Sequence, residues 1–196
     1  TIGGQDAAET VARWQPPLPA LERTQLAQAR RDAARALAED RLFEDAQSAI
    51  PLYLAIRALA PQDPVARDGL RKARRRLLQR GDELLRASER QEQALERADR
   101  IAMVALSLDA DDPAVRRLQQ RVETAQRVLA YDRAGEDDLR AGRLGEDGNG
   151  ALANFREALQ LDADDARARQ GVAAVESALI RRAEAAATLS DFAAAG

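Results

Sequence analysis

Leu161-Asp162-Ala163-Asp164-Asp165-Ala166 closes one helical run and opens the next, and the chain writes the same punctuation twice before. The earlier copies are Leu59-Ala60-Pro61-Gln62-Asp63-Pro64 and Leu108-Asp109-Ala110-Asp111-Asp112-Pro113. In each, the last Asp can cap the helix that follows, and Pro64 and Pro113 stand at the first helical position, where a missing N–H is harmless. Asp63 and Asp112 lie 49 residues apart, Asp112 and Asp165 53 apart. A long, nearly constant period is the mark of a stacked helical array. The four-residue difference is assigned to Gly145-Glu146-Asp147-Gly148-Asn149-Gly150, a turn-forming run read as a loop insertion with no counterpart in the other copies.

Outward from these anchors, apolar or small residues recur at helical spacing: Leu70, Ala73, Leu77 and Leu84; Val115, Leu118, Val122, Ala125 and Leu129; Val172, Val175, Leu179, Ala183 and Ala186. The pattern predicts helices over 19–40, 45–60, 64–88, 90–108, 113–141, 150–161 and 165–189. Gly81-Asp82 could interrupt the third of these, but one unbroken helix of about 25 residues, roughly 37 Å long, is expected. Pro51 requires the second helix to kink or to begin later, near Ser48. Residues 1–18, with Gly3-Gly4, Trp14 and Pro16-Pro17-Leu18-Pro19, read as a leader with one helical turn between Asp6 and Trp14. Residues 19–196 form the repeat domain, in units near 19–63, 64–112 and 113–165 with a partial unit at 166–196.

Composition narrows the function classes. The 196 residues are 45% hydrophobic and 32% charged but only 3% aromatic, which favours closely packed helices over sheets. There is no cysteine and no histidine, which removes disulfides, thiolate nucleophiles, the common catalytic triads and nearly every zinc or copper site. No Gly-rich phosphate loop follows a strand. Thirty basic against 33 acidic residues give a net charge of −3, so bulk attraction to nucleic acid or to an anionic membrane is not expected. No apolar run approaches the roughly 18 residues of a membrane span.

The second helix of each unit carries a small-aromatic-small spacing ahead of the anchor. It is Ala49, Tyr53, Ile56 and Pro61 in the first copy, Ala98, Ala102 and Ala105 without the aromatic in the second, and Ala151, Phe155 and Ala158 in the third. This spacing resembles the tetratricopeptide repeat. The resemblance spans residues 20–192 but is specific only in the second helices; Tyr131 and Gly135 fit the family's first-helix pattern loosely. The family repeats about every 34 residues, so the first helix of each pair here must be longer, by about four turns, or broken. The resemblance implies an all-α, right-handed superhelix of antiparallel helix pairs, a solenoid of three and a half units, whose curved surface binds a peptide or protein.

Two features are candidates for partner binding. Arg67, Arg71, Lys72, Arg75 and Arg76, with Arg74 and Arg80 nearby, populate two adjacent stripes of the third helix opposite Leu70, Ala73 and Leu77, and could receive an acidic peptide or phosphate. Against this stands a plain solvated face neutralised by Glu89, Glu92, Glu96 and Asp99. Trp14 either docks the leader or is held by a partner; Phe43, Tyr53, Tyr131, Phe155 and Phe192 are expected to plug helix junctions. The Asp clusters at 109–112 and 162–165 lack the glycine and the glutamate of a calcium loop and are read as caps.

The chain is therefore expected to be a non-catalytic interaction or scaffolding module, without metal or cofactor, for a protein or peptide partner rather than nucleic acid. The alternative is an accessory region of a larger bacterial envelope protein, a signalling kinase or a formylglycine-generating-type enzyme. The compartment stays open, with the periplasmic side of a membrane-anchored protein favoured over the cytoplasm. Thr188-Leu189-Ser190-Asp191-Phe192 matches the start of Asp40-Arg41-Leu42-Phe43, so a loop is expected there, and self-association through this incomplete unit is a third option.

Overall fold

The computed structural model describes residues 14–88, 92–145 and 148–195, with side chains up to residue 188. Among the described residues all regular structure is helical: α1 (Leu26–Ala38), α2 (Ala49–Leu59), α3 (Pro64–Ser88), α4 (Glu92–Leu108), α5 (Pro113–Arg140), α6 (Ala151–Leu161) and α7 (Ala166–Ala195). None of these helices is long and apolar enough to cross a membrane. The chain divides into two compact units, Thr1–Gln120 and Arg121–Gly196, with the division inside α5.

The three anchors are helix caps. Asp63 accepts the Ala66 amide at 2.9 Å, Asp112 the Ala114 amide at 2.8 Å and Asp165 the Ala168 amide at 2.7 Å. Each covers one of the amides that the first turn leaves without a helical acceptor. Gly81 does not interrupt α3, which runs for 25 residues. The helical turn expected between Asp6 and Trp14 lies outside the described residues, apart from Trp14 itself.

The pattern is departed from at the start of α1 and the end of α7, while α2 takes the later of its two expected starts. α1 begins only at Leu26, after a short 3-10 turn at Arg23–Gln25 in which the Glu22 amide donates to Gln25 Oε1 at 3.0 Å. The prolines at 16, 17 and 19 hold the preceding stretch out of the helix. α2 begins at Ala49, so Pro51 falls in its first turn, where its missing N–H costs no helical hydrogen bond. At the other end, the loop expected over residues 188–192 is absent and α7 continues to Ala195, through alanine-rich sequence with no glycine or proline to stop it.

The loop at 145–150 is not an insertion peculiar to the third copy. The first and third copies run without a gap at a constant offset of 102 residues, from 63 to 165, and their helix-to-helix loops have one design. α1 ends with Asp40 at φ 59° and α5 with Gly142 at φ 72°. Next, Arg41 N–H donates to Ala36 O at 3.0 Å and Arg143 N–H to Asp138 O at 2.9 Å. The chain returns so that Ala49 N–H reaches Arg41 O and Ala151 N–H reaches Arg143 O, both at 3.0 Å. The second copy is the odd one: α3 and α4 extend until only residues 89–91 lie between them, and α4 has 17 residues where α2 and α6 have 11. Spacing between anchors alone put the difference in the wrong copy.

The core of the first unit joins Ala29, Ala33 and Ala36 of α1 to Leu52, Tyr53 and Ile56 of α2 and Ala66 of α3, all buried. That of the second joins Val128, Leu144, Ala151, Phe155, Ala158, Ala168 and Val175. Small residues permit the close approach and an aromatic fills the junction. A methyl group at Gly69 would overlap the Tyr53 ring, and one at Gly171 would overlap Phe155, which also presses on Gly135. The second copy fills its junction from the opposite helix. Ala102 stands in the aromatic's place and Leu118 in that of Gly69 and Gly171, with the Leu118 side chain lying over Gly81, 2.7 Å from where a Cβ would sit. Both Ala102 and Leu118 are buried.

Candidate functional site

The basic residues of α3 lie on the predicted face: Arg67, Arg71, Lys72, Arg75 and Arg76 are exposed, while Ala73 and Leu77 are buried. Most are paired with acids of α3 itself and of the α1–α2 loop. Arg71 and Lys72 share Asp68 one turn earlier, with Lys72 Nζ at 2.8 Å. Lys72, joined by Arg71, outweighs the raising effect of desolvation and holds the Asp68 carboxyl below its ordinary value. Arg76 Nε donates to Asp40 at 2.7 Å and Arg80 Nη1 to Glu44 at 2.9 Å, tying the α1–α2 loop to α3. Arg74 bridges Asp109 and Asp112.

Arg67 and Arg75 carry no ion pair among the described residues. Arg67 has an explanation in the repeat. Its counterparts Arg116 and Arg169 fold back on Asp111 and Asp164 at 2.6 and 2.7 Å, whereas the matching place in the first copy is Gln62. The Asp clusters that resemble calcium loops are occupied by these arginines and by helix amides.

Trp14 lies in a cleft of the first unit, apart from that face. Its ring meets Phe43 edge-on, with centroids 6.3 Å apart and planes at 89°. The two aromatics, Leu84 and Ala87 of α3 and Ile101 of α4 give an open cleft of about 780 Å³ an apolar floor, and Arg80, Glu44, Glu83, Arg97 and Arg100 form its polar rim. The Glu44 carboxyl is pushed up by burial, but the Phe43 amide at 2.8 Å and Arg80 outweigh that and hold it below its ordinary value. The Glu44–Arg80 pair is thus a fixed wall.

Arg97 and Arg100, like Glu83, are exposed and have no ion pair among the described residues, whereas Arg80 and Glu44 pair with each other. Arg97 and Arg100 stand three residues apart and so on one side of α4. Of the residues singled out from sequence, the structure brings Trp14 here, and with it Arg80 from the edge of the basic cluster. Phe43, Leu84, Arg97 and Arg100 were missed as site residues. The i, i+3 arginine pair was visible in the sequence, but nothing local connects α4 with Trp14.

In the matching loop of the second unit Gly145 stands at the place of Phe43. Comparison with known proteins gives no match: no family model, no curated sequence and no solved structure aligns with the chain.

Proposed function

We propose that this chain is a tetratricopeptide-like repeat protein that acts by binding, and that the Trp14 cleft holds a partner segment in which an apolar side chain is flanked by carboxylates. The observation that carries this is the pair Arg97 and Arg100, without an ion pair among the described residues, beside an aromatic-lined cleft. An apolar residue against Trp14 and Phe43 would supply desolvated contact area, and a carboxylate on a guanidinium fork would set direction and register. The basic face of α3 makes a weaker site, since Arg71, Lys72 and Arg76 are held by Asp68 and Asp40, which leaves Arg67 and Arg75 with no apolar cleft beside them among the described residues.

A displayed random-peptide library tests the proposal. Selection on the full chain should enrich peptides pairing an aromatic or aliphatic residue with Asp or Glu. Arg97→Glu with Arg100→Glu should weaken the selected peptides at least tenfold, and Trp14→Ala by a similar factor. Enrichment of basic peptides, or binding indifferent to these changes, contradicts it.

A further inference from the structure

The three cap carboxylates have unlike neighbours. In the first copy Arg30, 33 residues ahead, donates from Nε to Asp63 at 2.9 Å, and in the second Arg74 Nη2 lies 3.3 Å from Asp112. In the third copy the residue 33 ahead of Asp165 is Asp132, another acid. Asp132 is 2% exposed, and its Oδ1 is buried without a hydrogen-bond partner among the described residues. The charged groups facing it are Asp165 at the α6–α7 junction, Arg167 on α7 and Glu136 on α5. Arg167 is engaged by Glu136, with Nε to Oε1 at 2.5 Å and Nη2 to Oε2 at 2.8 Å. A buried carboxyl thus sits near a capping carboxylate, and the neighbouring cation is held by a third acid.

We propose that Asp132 is a proton-binding site: protonated, it lets α5 pack against the start of α7, and when it ionises it repels the Asp165 cap and loosens the α6–α7 junction. A buried carboxyl without a partner is costly as an anion and tolerable as an acid, and protonation removes one of two like charges while adding a donor. Burial, with Asp165 adding to it and Glu136 outweighed by Arg167 in order of size, pushes the Asp132 carboxyl up to about 6.

The direction of the effect follows from linkage. Between the ordinary value of 3.8 and about 6 the folded chain binds more protons than the unfolded one, so stability falls as pH rises through that window. The displacement corresponds to about a hundredfold in the unfolding equilibrium constant between pH 4 and pH 7. Most acids in folded proteins act the other way.

Carboxyl carbon NMR of the full chain, labelled at aspartate and titrated from pH 3 to 8, reads the site directly, and urea unfolding of wild type and Asp132→Asn at pH 5 and 7.5 reads its consequence. The expected results are an Asp132 midpoint near 6, and a variant that resists urea better than wild type at pH 7.5, with the gap narrowing at pH 5. A midpoint at or below 4.5 overturns the proposal, as does a variant whose urea midpoint tracks wild type at both pH values. If the variant does not fold, the wild-type titration alone decides.

Discussion

Among the described residues, 36–69 and 138–171 share, 102 residues apart, matched loop hydrogen bonds, matched caps and an aromatic set over a glycine in each. What differs is where the charges went. In the first copy an arginine from α1 meets the cap, and the loop carries Phe43 toward a cleft. In the third copy an aspartate takes the arginine's place, the arginine reappears on α7 as Arg167, and the loop carries Gly145. Backbone design is therefore held by caps, glycines and small residues, while the charged positions around it differ between the copies, and on them rest the binding proposed for one copy and the proton sensitivity proposed for the other.

The shared part should give the largest effects. Phe155→Ala empties the junction between Gly135 and Gly171 and should cost about 3–5 kcal/mol in urea unfolding, as should Tyr53→Ala in its own unit. Similar losses from both support one plan; a loss below about 1 kcal/mol at either would break the comparison. The second copy sharpens it: Leu118→Gly should be severely destabilising alone, and Ala102→Phe should recover a large part of that loss only in its company.

The caps come next, and here the copies should part. Burial raises the Asp63 carboxyl, but the Ala66 amide and Arg30 outweigh it and hold it below its ordinary value. Its stabilisation is thus present above about pH 4 and is lost as pH falls through the lowered folded value. Asp63→Ala should cost about 2 kcal/mol at pH 7.5, from a lost cap and a stranded arginine. Asp165→Ala should cost under about 1 kcal/mol at that pH, because removing the cap also relieves Asp132. Equal costs would erase the distinction.

The smallest test concerns the loop entry. Asp40 at φ 59° adopts a conformation that glycine accepts freely, so Asp40→Gly should gain up to about 1 kcal/mol and Gly142→Ala should lose about as much. The gain at Asp40 will be trimmed slightly by loss of its solvent-screened pair with Arg76.

Helix positions were legible in the sequence because Asp and Pro at the anchors and the apolar spacing in between are local signals. The long α3 and the late start of α2 at Pro51 could be read in the same way. The loop comparison failed for a physical reason. Anchor spacing counts residues without saying whether they are coil or helix, and the residues of the second copy lie in a longer α4. Site residues were harder, since Trp14 is separated from Arg97 by 83 residues and meets α4 only through the fold. Asp132 looked like any other acid on a helix until the offset set it beside Arg30.

Two amides report on the comparison most directly, Ala66 N–H on Asp63 and Ala168 N–H on Asp165. Their hydrogen exchange, corrected for the intrinsic effect of pH, should be measured in one sample at pH 5 and 7.5. The account predicts unchanged protection at Ala66 and protection at Ala168 that falls at least tenfold at the higher pH. Protection that changes equally at both amides, or that rises at Ala168, would contradict it.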